Sequence, residues 1–260
     1  VFSGLVIGRL GIEWATFITV GLSFAALIHL FFVPIPEERL HHDPEVLNKQ
    51  VDFKGALKAI HSVPGLMALI IFTTFNNFIG GIFMVLLDPY GLEMFSVELW
   101  GLLLGFTGTG FIFGGMAITR KGLGKQPLRT LLYGYVIGSL ICLLFTIREW
   151  PWLFLAGIFL YMFSVPFIEA AEQTIIQTVV PKIKQGRVFG FAQTVESAAT
   201  PISSYLIGPV AQFSIIPFME SGAGKEAFGW LLGEGNARGI ALTFLLSGIF
   251  MLLLSLLAFR

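Results

Sequence analysis

The sequence predicts an all-α polytopic membrane protein, and three observations carry that reading. Only 12% of the 260 residues are charged while 55% are hydrophobic, against about 25% charged in an ordinary soluble domain. Apolar runs recur at hydrocarbon-spanning length, and about 20 such residues take a helix across about 30 Å of lipid core. The runs are continuous rather than alternating, which argues against the shorter in–out strands of a membrane barrel.

Seven spans follow, at roughly 14–34, 63–87, 98–118, 128–147, 152–178, 188–213 and 239–259. Residues 1–10 read as the exit end of a further helix, closed by Gly11. A charged linker occupies 35–62, where Phe53, Leu57 and Ile60 would give an apolar face able to lie along a membrane surface. Asp88-Pro89-Tyr90-Gly91 is expected to end the second span by turn chemistry. The basic stretch Lys121-Gly122-Leu123-Gly124-Lys125-Gln126-Pro127 separates the third and fourth, and Arg148-Glu149-Trp150-Pro151 makes the next turn. The sixth span holds Pro201 and Pro209, each removing a backbone donor, and is expected to be bent or broken. Thr200, Ser203 and Ser204 are at hand to satisfy the freed carbonyls. Before the last span, the Gly-rich stretch 214–238 carries Phe228, Trp230, Leu231 and Leu232, which suit an interfacial turn or short helix.

Orientation rests on the bias of Lys and Arg towards cytoplasmic loops. With the 35–62 linker inside, twelve of the sixteen basic residues fall on the cytoplasmic side. Arg9, Arg148, Lys225 and Arg238 fall outside. The linker and the C-terminus are therefore expected in the cytoplasm. The chain starts Val1-Phe2-Ser3-Gly4, without an initiator Met or a basic leader, and is expected to begin within a longer protein.

Several function classes are excluded. Net charge is +0, so no overall field draws nucleic acid or an acidic partner. The single cysteine, Cys142, can form no intrachain disulfide. No zinc-protease, nucleophile-elbow or phosphate-loop motif occurs, and His41-His42 beside Asp43 is a poor metal site. No cofactor, metal or enzymatic activity is expected. Without a nucleotide loop, transport would draw on a gradient unless another subunit hydrolyses ATP.

Small residues at Gly101, Gly105, Gly110 and Gly114 give the 98–118 span a face that lets helix backbones approach closely, for static packing or for sliding. The polar residues at membrane depth are fewer. Glu169 and Glu172 share a face in the inner half of the 152–178 span, continued by Gln173 and Gln177. Glu196 lies on a stripe with Gln193, Ser197 and Thr200, and Asn76 and Asn77 sit mid-span one turn after Thr73. A carboxylate in hydrocarbon must take a proton, pair with a cation or face a cavity, and no Lys or Arg lies mid-span beside these three. They are candidates for proton coupling or substrate contact; the alternative is water contact at the inner interface near Lys182, Lys184 or Arg187. The asparagines suit either interhelical hydrogen bonding or substrate binding.

The segment Val180-Pro181-Lys182-Ile183-Lys184-Gln185-Gly186-Arg187-Val188-Phe189-Gly190 resembles the loop entering helix eleven in the major facilitator superfamily, notably its macrolide and siderophore efflux branch. Gly4 to Glu37, with Gly11 and Trp14-Ala15-Thr16-Phe17, looks like the end of helix five and helix six. Thr119-Arg120-Lys121-Gly122 and Gly124-Lys125 resemble a degenerate basic loop between helices eight and nine, lacking the acidic residue expected before the basic pair.

The resemblance implies a C-terminal portion of such a transporter. Residues 1–36 would end the N-terminal bundle, 37–62 would link the halves in the cytoplasm, and 63–260 would form the C-terminal six-helix bundle, helices seven to twelve. It further implies proton-coupled export of a small amphipathic molecule by alternating access, from a monomer in the cell membrane whose partners are lipid, substrate and protons. Arg120, Lys121, Lys125 and Arg187 would be gate residues. Glu169, Glu172, Glu196, Asn76, Asn77, Gln173 and Gln193 would face the cavity, and Pro201 to Pro209 would form a helix bend. An importer on the same scaffold is the alternative; a membrane receptor and an intramembrane hydrolase rank lower, the last because no nucleophile–base set accompanies the acids.

Overall fold

A computed structural model of the chain describes residues 11–33, 53–233 and 237–259. The segment Gly4–Gly8, the His41-His42 pair and Arg39, Lys49 and Arg260 lie outside the described residues. The described chain is helical throughout: α1 Ile12–Phe32, α2 Phe53–His61, α3 Leu66–Met94, α4 Val97–Lys121, α5 Pro127–Leu144, α6 Pro151–Val179 and α7 Lys182–Val210. A π turn, Ala211–Ile215, leads into α8 Ile216–Glu220, followed by α9 Gly222–Leu232 and α10 Arg238–Ala258. The seven sequence spans correspond to α1, α3, α4, α5, α6, α7 (with its continuation to Glu220) and α10, each long and apolar enough to cross a membrane.

Local chemistry sets several helix ends. Pro127 and Pro151 occupy the first turns of α5 and α6, where a missing N–H costs nothing. The Ser96 hydroxyl accepts from Leu99 N at the start of α4. At its other end Gly122 turns the chain with φ 69 while its N–H donates to Ile118 O, a conformation that glycine adopts without strain.

Asp88-Pro89-Tyr90-Gly91 does not end its helix; α3 runs through it to Met94. Tertiary contacts overrule the turn signal. Tyr90 is fully buried against Phe154 and Phe244, the Trp100 indole N–H donates to Asp88 Oδ1 at 3.0 Å, and Gly91 packs directly on that indole ring. The α7 helix likewise stays helical through Pro201 and Pro209, its irregularity being the π turn that follows Pro209. The hydroxyls beside Pro201 mostly serve another helix: Thr200 and Ser204 donate to Asn77 O and Gly81 O on α3. On α2 the buried face is Ala56, Ala59 and Ile60, set against α7, while Phe53 and Leu57 are exposed. Of the face the sequence spacing suggests, Ile60 packs on the protein while Phe53 and Leu57 stay at the surface.

Packing divides the helices into two groups. The α3 helix lies along α7; α4 and α5 lie along α6; α10 bridges α5 and α3, and α6 meets α7 only sparsely. Glycines permit the closest approaches: Gly81 meets Thr200 and Ser203 of α7, while Gly110 and Gly114 meet the α6 backbone at Phe159 and Phe163. Gly101, Gly108 and Gly115 face open space, so the close-packing pair on α4 is Gly110 and Gly114, four residues apart. The α1 helix keeps Trp14, Phe17, Phe24 and Phe31 exposed, as a lipid-facing helix would.

One end of the cleft between the two groups is pinned by Arg238, only 2% exposed. Its guanidinium pairs with Glu149 at 2.7 Å and donates to Leu232 O at 2.6 Å and to Tyr90 Oη at 2.9 Å. These contacts tie α3, the α5–α6 turn and the end of α9 to the start of α10. The cleft beyond this clamp holds the site.

Candidate functional site

Helices α3, α6 and α7 supply most of the polar lining of a cavity of about 470 Å³, which Tyr135 of α5 and Met251 of α10 also border. From α3 come Asn76 and Asn77; from α6 come Glu169, Glu172 and Gln173; from α7 come Gln193 and Glu196. All seven residues that the sequence nominates for a cavity border this one. Helical spacing explains the convergence, since residues three and four apart share a face. Sequence separation hides it: Thr73 and Glu196 lie 123 residues apart yet meet at 2.7 Å.

That contact is the first rung of a ladder. Thr73 donates to Glu196 Oε1, Thr200 to Asn77 O at 3.2 Å and Ser204 to Gly81 O at 3.1 Å. Each rung advances four residues on both helices, so α3 and α7 run parallel and cross in the same direction, as alternating threading requires. The ladder buries Glu196, at 5% exposure, while Glu172 is half-buried and Glu169 exposed at the cavity mouth. The Glu172 carboxyl lies beside both Glu196 and the Thr73 hydroxyl.

Proton inventory makes this cluster adaptable. The Thr73 hydroxyl has one hydrogen but three acceptors in reach: Glu196 Oε1, Leu69 O and Ile70 O, the two carbonyls at 3.1 Å. With Glu196 ionised, Thr73 donates to it. With Glu196 protonated, Thr73 can donate to a carbonyl and accept from the acid. Either state leaves every hydrogen placed. Asn76 is less well served: its Nδ2 donates to Phe72 O at 2.8 Å, while its buried Oδ1 has no partner.

Among the described residues, no lysine, arginine or histidine lines the cavity. Arg120 and Lys121 end α4 and Lys125 follows in the loop, all exposed; Arg187 is half-buried early in α7. None of these four residues is among those that line the cavity. Among the described residues no cluster of His, Cys, Asp and Glu could hold a metal ion. A second chamber of about 430 Å³ adjoins the first through Gly80 and Tyr161, lined mainly by apolar side chains such as Phe83, Leu104 and Phe145.

Sequence reasoning missed Tyr135, which lines the acidic cavity, and it counted Arg238 as a loop charge. The usable signal for Arg238 was Glu149 in a tight turn of matching sidedness.

Fold and site together define a multi-pass helical membrane protein with an acidic intramembrane cavity, the class to which solute transporters belong. A model of the Major Facilitator Superfamily matches residues 1–204, most of the chain, and the protein belongs to that family. It is a transporter of that family, not an enzyme. No curated protein and no solved structure matches the chain.

The match corrects one expectation. The similarity runs from residue 1 to 204 and is not confined to a C-terminal six-helix half, so the placement from helix five to helix twelve and the macrolide and siderophore branch are set aside. The physical reason is internal symmetry. The two halves of such transporters, and the triplets within each half, repeat one another, so glycine-lined turns and basic loops do not number a helix within the family.

Proposed function

We propose that this protein is a secondary active transporter that exports a small amphipathic molecule in exchange for protons. Glu172 and Glu196 are the proton-exchanging groups, and Glu169 guards the cavity mouth. The observation that supports this is the convergence of three acids, two asparagines and two glutamines on one cavity, with no basic residue lining it among the described residues. Unpaired acids at membrane depth are costly and mark ion and substrate paths. Thr73 gives Glu196 a hydrogen-bond partner in both protonation states, which lowers the cost of cycling between them.

The 37–62 segment and the C-terminus face the cytoplasm, as the Lys and Arg bias favours. Arg120, Lys121, Lys125 and Arg187 then stand at the inner face, where they act on the conformational change rather than on the substrate. The protein acts as a monomer in the cell membrane, and the segment around Pro201 and Pro209 supplies local compliance in α7.

Reconstitution into proton-loaded vesicles tests the reading, with an amphipathic dye as reporter. The wild-type chain should move dye against its gradient when a pH difference is imposed, and Glu172→Gln and Glu196→Gln should insert normally but lose that dependence. Normal proton-driven transport by all three Glu→Gln variants would overturn it.

A further inference from the structure

Helices α4 and α5 leave a groove apart from the acidic cavity. Both lie along α6, but not along each other. The strip of α6 between them is therefore open, and with α5 it forms a groove of about 510 Å³. Leu160, Phe163 and Phe167 floor it, and Tyr133, Ile137 and Ile141 form the α5 wall. Phe163 marks the α4 side, since Gly114 packs against its backbone. None of these six residues borders the acidic cavity, so the groove opens on a different face of α6.

The groove offers little to a partner helix. Of its two aliphatic hydroxyls, Thr130 donates to Leu123 O at 2.6 Å and Ser164 to Tyr161 O at 2.7 Å. Its glycine, Gly134, is already packed against the Ile168 side chain. In lipid no hydrophobic drive brings helices together, and association rests on small-residue or polar contacts. An acyl chain needs neither.

Charge distinguishes one end of the groove. From Leu99 to Arg148 the chain has no Asp or Glu, and four of its five basic residues, Arg120, Lys121, Lys125 and Arg129, cluster where α4 gives way to α5. All four are exposed, and among the described residues none pairs with an acid. Arg129 borders a hollow of about 570 Å³ together with Gln126 and, from α6, Ile175 and Thr178. The next residue, Thr130, lines the groove itself. Cations thus stand at the end of an apolar channel, in a chain whose net charge is +0.

That combination matches a lipid with an anionic head and an apolar tail. Basic residues beside a membrane attract anionic headgroups, and the attraction fades within a Debye length. A second copy threaded the same way would bring the same four cations to the same end, like against like. We propose that the groove between α4 and α5 seats an anionic phospholipid of the leaflet beside the 121–127 turn. Lys125 and Arg129 hold its phosphate, and one acyl chain lies along α5 from Tyr133 to Ile141. The site is separate from the transport cavity and needs neither substrate nor a proton gradient.

Native mass spectrometry of the full chain in detergent tests this, with dioleoylphosphatidylglycerol and dioleoylphosphatidylcholine offered at equal concentration. Phosphatidylglycerol should bind first and at least ~10-fold tighter. Lys125→Gln and Arg129→Gln should each cut that preference ~5-fold, about the factor that one basic residue near an anionic surface carries, and together remove it. Lys225→Gln, which takes the same charge from the exposed surface of α9, should change nothing. Ile137→Trp, at a side chain exposed in the groove, should weaken phosphatidylglycerol ~10-fold without lowering the melting temperature.

Equal binding of the two lipids would overturn the proposal. An unchanged preference in the double variant Lys125→Gln, Arg129→Gln would do the same, as would a loss in Lys225→Gln as large as that in Arg129→Gln. Unchanged binding in Ile137→Trp would remove the groove from the site and overturn it. So would displacement of the lipid by glycerophosphoglycerol, the headgroup without its chains, which would leave only an anion patch. A lipid-free dimer that protects Tyr133 and Ile137 would overturn it in favour of a second copy.

Discussion

Thr73 Oγ1 lies 2.7 Å from Glu196 Oε1, joining α3 to α7 across 123 residues of sequence. The same hydroxyl is 3.1 Å from the carbonyls of Leu69 and Ile70. A serine would keep this choice of partners, whereas a valine would leave the acid with no partner from α3. Thr73→Val should lower proton-driven transport by about tenfold, the factor that 1.4 kcal/mol represents at equilibrium, and Thr73→Ser should restore most of it. Initial rates in proton-loaded vesicles check the pair.

The three acids should not be equivalent. Glu196 is buried, Glu172 half-buried and Glu169 exposed. Glu196→Gln should abolish proton dependence, and Glu169→Gln should reduce it by no more than a few-fold. A ranking of the variants by the pH dependence of transport gives the answer, and a dominant effect from Glu169 would reverse the assignment.

Arg238 should matter for folding more than for turnover. Its guanidinium satisfies Leu232 O and Tyr90 Oη as well as Glu149. Arg238→Met would leave the carbonyl and the phenol buried without it, at a cost of about 2–3 kcal/mol. Glu149→Gln should cost less, because Glu149 is 44% exposed and water can replace part of the contact. Thermal unfolding in detergent should place the two variants in that order.

Small residues on α4 divide by what they touch. At Gly114 an added Cβ would run into the Phe163 backbone, while at Gly115 it would meet nothing. Gly114→Val should therefore separate α4 from α6 and cost about 1–3 kcal/mol, the usual range for overpacking. Gly115→Ala should be silent in the same melting experiment.

The membrane spans were legible because hydrocarbon imposes one length on every crossing, and run length survives in sequence. The cavity acids were legible for a related reason: charge is so costly at depth that its position alone nominates it. Tertiary context hid the rest. Pro89 and Gly91 read as a turn until the Trp100 ring and the Arg238–Tyr90 contact are seen to hold α3 together. On α2 the spacing grouped Phe53, Leu57 and Ile60, yet it gave no sign that Ile60 would pack with Ala56 and Ala59 against α7.

The most direct measurement is dye accumulation in proton-loaded vesicles under an imposed pH difference, with a pH indicator following the protons that move in exchange. The wild-type chain should accumulate dye as protons move the opposite way, and the double variant Glu172→Gln, Glu196→Gln should show almost none of either flux. Undiminished coupled fluxes in the double variant would contradict proton exchange at these two acids.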